Sequence, residues 1–356
     1  MSKIIERLRV PAADSDAVRY MRDVVGNKED AAAVGVADTT SSLVAYGKQS
    51  LNAINSLETA IQSYVLGTVV GSAMAVKFWF VDANIAASGA GTDPSIAFKT
   101  IQEAVAVCTT STDDWIFVFD YSGGGATVTM GTSFVHLIGN RASKAMPYPR
   151  IMPATAIPGI TFGAGGDRCE IANFTIGAGD QTKSAISFPV GTAAGAYGNH
   201  IHDCVIGRDA NAPCLVGIEV VSGGAAPYLL VENNRFYGSA GAGIAAAGSA
   251  IRISGNATRC NIRNNYVSDV GRTATPAIWL DGAVSEPQIE FNRIKHDTDT
   301  GTGSAITLGA SVDDGWIHGN VASDGKDSAS NNPFVDGGST NGWGVNYDGE
   351  AATLPA

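Results

Sequence analysis

The chain has 356 residues, 43 of them glycine, with 45% hydrophobic and only 16% charged side chains. High apolar content with low charge excludes disorder along the whole chain, and glycines without a period of three exclude collagen. A net charge of −11 with no basic cluster argues against a nucleic-acid or anionic-membrane partner.

Residues 1–30 carry 12 charged side chains, six of each sign. Within them, residues 14–25 (DSDAVRYMRDVV) read as a short helix behind an acidic N-cap. The opening MSKIIERLRVPAADSD lacks the apolar core and small-residue cleavage site of a secretory signal, so none is expected. Residues 41–66 have the clearest helical period. Leu51, Ile54, Leu57, Ile61 and Val65 follow one another at steps of three or four, a heptad-like seam of about two repeats. Such a seam is too short for an isolated coiled coil but can align chains held together elsewhere. The apolar stretch from Tyr64 to Val76 stops short of the about 20 residues that a membrane helix needs. The expectation is an α-helical anchor and oligomerisation segment over 1–75, followed by a second domain over 76–356.

From about 130 onward the sequence repeats. A segment beginning with Ile or Val recurs at Ile171, Ile201, Val231, Ile262, Ile289 and Ile317, 27 to 31 residues apart. The residue after it is mostly polar, and a second apolar residue lies five positions on. Inward-then-outward alternation suits a strand, but an odd step of five breaks strict alternation, so a bend is expected between. A second segment, Gly or Ala followed by an aliphatic residue, interleaves at Gly159-Ile160, Ala185-Ile186, Gly217-Ile218, Gly243-Ile244, Ala277-Ile278 and Ala305-Ile306. Gly344-Val345-Asn346-Tyr347 is a candidate seventh.

Short strands without intervening helices exclude βαβ units, and a period near 30 is too short for a propeller blade. The fold class expected is mainly β: a single-stranded parallel β-helix behind an α-helical anchor. Ile171, Ile201, Val231, Ile262, Ile289 and Ile317 would form one inward column. Asn234, Asn265, Asn292 and Asn320 share a register and would stack as an amide ladder. The five cysteines, at 108, 169, 204, 214 and 260, are odd in number and form no CxxC, so buried free thiols are expected. Residues 323–342 read as a long loop, with Trp343, Val345 and Tyr347 returning to close the last coil or meet a neighbouring chain.

No chemistry-bearing motif stands out. Asp297-Thr298-Asp299-Thr300-Gly301 begins like a calcium loop but lacks the later bidentate acid. His202 and His318 share an outward register four coils apart and read as surface residues, not a metal pair. There is no phosphate-binding loop and no strained Gly-x-Ser-x-Gly elbow. No catalytic, cofactor-binding or metal residue is therefore nominated, and no cofactor is expected.

Residues 80–105 resemble the entry segment of right-handed parallel β-helix proteins of the pectate-lyase-like superfamily, with Ala97 where that pattern has proline. The resemblance implies that Phe80-Val81-Asp82 ends a strand and that Phe98-Lys99-Thr100-Ile101-Gln102-Glu103-Ala104-Val105 is a capping helix, near 96–107, that plugs the open end of the coil. Residues 23–66, with Asp23-Val24-Val25-Gly26-Asn27-Lys28 and Ser42-Leu43-Val44-Ala45-Tyr46, look like a segment of tailed-bacteriophage structural proteins. Together they imply a virion protein with an N-terminal anchor and a right-handed, homotrimeric β-helix spike. The anchor-plus-rod layout and the missing acid pair make the expectation a non-enzymatic spike on the virion surface, a capsid decoration or cement protein. The anchor would contact the major capsid protein or tail proteins, with no nucleic acid and no membrane insertion. Arg293-Ile294-Lys295 superficially resembles the R-I-K of polygalacturonase-type hydrolases. In that family an Asp pair and a Gly-His-Gly precede R-I-K, whereas here Asp313-Asp314 follows and no Gly-His-Gly occurs. Two alternatives stand beside the structural reading. One is a tail spike that binds or depolymerises a host surface polysaccharide. The other is a cellular or secreted carbohydrate-active enzyme, disfavoured by the missing signal.

Overall fold

A computed structural model describes residues 76–356 except 111, 120, 122–124, 141–147, 192–195, 209–211, 240–241, 271–274, 297–302, 325–332, 349–350 and 354–356. The expected helices at 14–25 and 41–66, with the seam Leu51, Ile54, Leu57, Ile61 and Val65, lie outside the described residues, as does the Asp297–Gly301 turn.

The 76–356 region is a parallel β-helix built from short strands. Sheet I has ten strands, from Lys77–Val81 to Gly342–Trp343. Sheet II begins at Arg150–Ile151 and reaches Asn346–Asp348, where Ala351–Thr353 folds back antiparallel. Sheet III has eight strands, from Val128–Met130 to Phe334–Asp336. Ile171, Ile201, Val231, Ile262, Ile289 and Ile317 follow one another in parallel register along sheet I, and each is fully buried.

The odd step of five has a local cause. The residue two after each inward position adopts a left-handed backbone: Asn173, Asp203, Asn233, Asn264, Phe291 and Gly319, with φ between 52° and 67°. Asn, Asp and Gly tolerate that region best. The bend turns the chain from sheet I into sheet II and brings the second apolar residue, such as Ile206 or Val267, back inside. A matching left-handed column, Arg168, Gly198, Tyr228, Arg259, Glu286 and Asp314, precedes sheet I. Each three-residue strand of sheet I thus sits between two fixed corners.

Asn234, Asn265, Asn292 and Asn320 stack one position beyond the first corner. The backbone N–H of each donates to the side-chain Oδ1 of the next at 3.0 Å, and its Nδ2 donates to the same oxygen at 2.9–3.2 Å. The ladder runs one coil further than the sequence indicates, because Asn346 accepts from Asn320. At its other end the N–H of Cys204 donates to Asn234.

Three sequence expectations change. Gly243-Ile244 does not continue the sheet III column; Ile251–Ile253 does, pairing with Ile218–Val220 and Ile278–Leu280. Ala242–Gly243 instead makes a short antiparallel excursion beside sheet II. Ala250-Ile251 fits the same Gly/Ala-aliphatic pattern, and the two sites compete in the sequence. Gly344–Tyr347 is not a sheet III segment either, because Asn346–Asp348 pairs with Val321–Asp324 in sheet II. The supposed loop 323–342 contains the last sheet III strand, Phe334–Asp336, anchored by fully buried Phe334.

The capping helix runs Ile101–Val107, shorter than the expected 96–107, because Pro94–Ile96 is a separate 3-10 turn. Thr100 and Glu103 close a capping box, with Thr100 N–H donating to Glu103 at 2.8 Å and Glu103 N–H to Thr100 at 3.2 Å. Ile101, Ala104 and Val105 are buried in the core, and the helix packs on the first strands of sheets I and III.

Candidate functional site

The outer face of sheet I carries the densest chemistry among the described residues. On each strand the inward aliphatic residue is flanked by two outward ones. Near the capping helix these are aromatic. Phe78, Phe80 and Phe117 sit half-buried; the Phe78 and Phe80 ring centroids each lie 6.0 Å from that of Phe117, and the Trp115 ring lies 6.2 Å from it. Trp115 then stacks on His136 at 4.2 Å and 10°.

From His136 the face becomes a charged network. The register places His136, Glu170 and His200 side by side on three successive strands. His136 Nε2 lies 2.6 Å from Asp113, and its Nδ1 lies 2.5 Å from one oxygen of Glu170. The other Glu170 oxygen is 2.7 Å from His202 Nε2, and His202 Nδ1 is 2.7 Å from Asp203. The order of groups is carboxylate, imidazole, carboxylate, imidazole, carboxylate. Beside it the His200 and His202 rings stack at 4.1 Å. His200 Nε2 is 3.0 Å from Glu232, which also accepts from Arg263 Nε at 2.6 Å. All of these histidines and glutamates are half-buried.

The electrostatics follow from the neighbours. Hydrogen bonds from His136 and then His202 hold the Glu170 carboxyl far below the usual range. Burial pulls the His136 pKa down, but its bonds to Glu170 and Asp113 outweigh that and raise it. His202 is raised chiefly by its bond to Glu170. His200 is lowered, first by burial and then by the charge on His202. A general acid in glycoside hydrolysis needs a raised carboxyl pKa. Glu170 is tuned the opposite way.

No family model matches this chain, and no characterised protein matches it in sequence.

Beside the network, where the chain turns from sheet I to sheet II, lies an open groove of about 670 Å³. Tyr148, Arg208, Asn233, Arg235 and Tyr237 line it, together with Asp203, which also holds His202. Arg293 and Lys295 lie on the sheet II strand Arg293–His296, while exposed Asp313 and Asp314 sit on the following coil near the sheet I corner. His318 shares the outward register of His202 but packs its ring on Phe291 at 5.2 Å. The five cysteines are free and buried, and burial pushes Cys169, Cys204 and Cys260 up to about 12. They are not poised as nucleophiles.

Sequence reading placed His202 and His318 in one outward register as surface residues, and passed over His200, Glu170 and His136. The signal was present. His200-Ile201-His202 puts two imidazoles on one face of a strand. Glu170 lies 30 residues before His200, one repeat of the coil.

Proposed function

We propose that this protein is a non-enzymatic bacteriophage structural protein, a trimeric right-handed β-helix spike that decorates the capsid surface. The observation that carries the reading is the outward aromatic strip of Phe78, Phe80, Trp115 and Phe117, on the first strands of sheet I. A contiguous apolar patch on a protein surface is a feature of association surfaces. It lies next in sequence to the 1–75 segment, whose seam at Leu51, Ile54, Leu57, Ile61 and Val65 suits chain alignment. The resemblance of residues 23–66 to tailed-phage structural proteins supplies the virion context. The low pKa of Glu170 makes it unsuited to the general-acid role in glycoside hydrolysis.

Ile54→Asp combined with Ile61→Asp puts two charges per chain into the seam. Sedimentation of the full chain tests the reading: wild type as a trimer, the double variant with reduced trimer content and reduced incorporation into particles. A wild-type chain that sediments as a monomer, both free and after release from particles, contradicts it.

The groove at Tyr148, Arg208, Arg235 and Tyr237 favours a second reading, a tail spike that binds a host surface glycan. Aromatic rings and guanidinium groups in one open cleft suit a sugar with acidic substituents. Retention of the host's purified surface polysaccharide by wild type, and its loss in Tyr237→Ala, would move the protein from capsid to tail.

A further inference from the structure

We propose that Glu170, His200 and His202 bind one divalent transition-metal ion of the zinc class on the outer face of sheet I. Each of the three offers a donor atom, and those atoms all lie within 4.8 Å of one another. The backbone fixes this triangle. His200 and His202 are the two outward residues of one three-residue strand, with buried Ile201 between them. Glu170 stands opposite His200 on the neighbouring strand. A tetrahedral ion with bonds of about 2.0–2.1 Å needs donors roughly 3.3 Å apart. His202 Nε2 and Glu170 already stand at 2.7 Å. Side-chain rotation alone can complete the site.

One further feature points to a cation, the outer ring of carboxylates. Asp203 sits 2.7 Å from His202 Nδ1 and aims Nε2 at Glu170, while Glu232 sits 3.0 Å from His200 Nε2. Carboxylates behind metal-bound histidines orient the ring in this way. Imidazole and carboxylate donors together select zinc-class ions over calcium or magnesium. The ion would join two coils of the rod. This inference does not depend on the virion reading.

The test uses the full chain stripped with a chelator and titrated with Co²⁺, then with Zn²⁺. The expected result is a visible d–d spectrum that saturates at one equivalent and is displaced by one equivalent of Zn²⁺. His200→Ala with His202→Ala should abolish it, Asp203→Asn should weaken binding about 10–100-fold, and His318→Ala should leave it unchanged. Far-UV circular dichroism checks that each variant keeps its fold. Should the double variant unfold, Glu170→Gln takes its place with the same expected loss. Absence of a saturable one-equivalent signal in wild type overturns the proposal, leaving a protonated hydrogen-bond network only. So does a signal unchanged in folded His200→Ala/His202→Ala or Glu170→Gln.

Discussion

Asn265 shows how one side chain can hold two coils. Its Oδ1 accepts from the N–H and the Nδ2 of Asn234, while its own Nδ2 donates to Val231 O at 3.0 Å and to Asn292. Every polar atom is buried and paired. Asn265→Ala would orphan two donors of Asn234, at about 1–3 kcal/mol for each buried unsatisfied group. We expect a loss of about 3 kcal/mol in urea unfolding, and a change below 1 kcal/mol would show that the ladder is incidental. Phe291 is the opposite case. It occupies the left-handed corner column at φ 55° where its neighbours are Asn, Asp or Gly, and its ring is exposed. Left-handed backbone costs an ordinary side chain about 1–2 kcal/mol. Phe291→Asn should therefore raise stability by up to about 1 kcal/mol in the same assay. A decrease would mean that the Phe291–His318 ring contact outweighs the strain. The ladder was legible because Asn repeats at one register position. The corners were only half legible, since Phe291, Tyr228 and Glu286 carry no propensity signal for a left-handed backbone. Their conformation is imposed by the coils above and below.

At the scale of elements, the strands of sheet I do two jobs. Their inward residues build the core and their outward residues build the surface chemistry. Alternation of apolar and polar residues revealed the first job in the sequence. The second was hidden because Asp113, His136, Glu170 and His202 are far apart in the chain and meet only through the coil register. The pH dependence of the metal-free protein follows from that meeting. Glu170 is depressed, so its contribution is present above about pH 4.3 and lost as pH falls through its lower folded value. His136 and His202 are raised, so theirs is complete below about pH 6.5 and lost as pH rises through their folded values. His200, faced by Glu232 and His202, is lowered and works the other way, losing its contribution as pH falls. Two raised histidines against one lowered give a net expectation. Thermal unfolding of chelator-treated protein should occur at higher temperature near pH 6 than near pH 8, and Glu170→Gln should flatten the difference. Equal midpoints in wild type would remove the network from the stability account.

For the whole molecule, the repeat of about 30 residues was enough to predict a parallel β-helix, because nothing else buries such short strands at that spacing. It was not enough to place the excursion at Ala242–Gly243 or the last strand at Phe334–Asp336, where turn-rich sequence surrounds buried Phe334. The function proposed for the rod makes a chemical prediction of its own. Incubation with neutral or acidic surface polysaccharides should release no reducing ends and no unsaturated products, because the sequence offers no motif-supported pair of acid and base carboxylates. Release that is abolished by changing Asp203 or Asp313 would establish a depolymerase instead.

Display of the chain on a virion is open to immunogold electron microscopy of purified particles, with antibodies raised against residues 76–356. Many labels per particle, spread over the capsid surface, are expected. Label confined to host cells and absent from particles would contradict it.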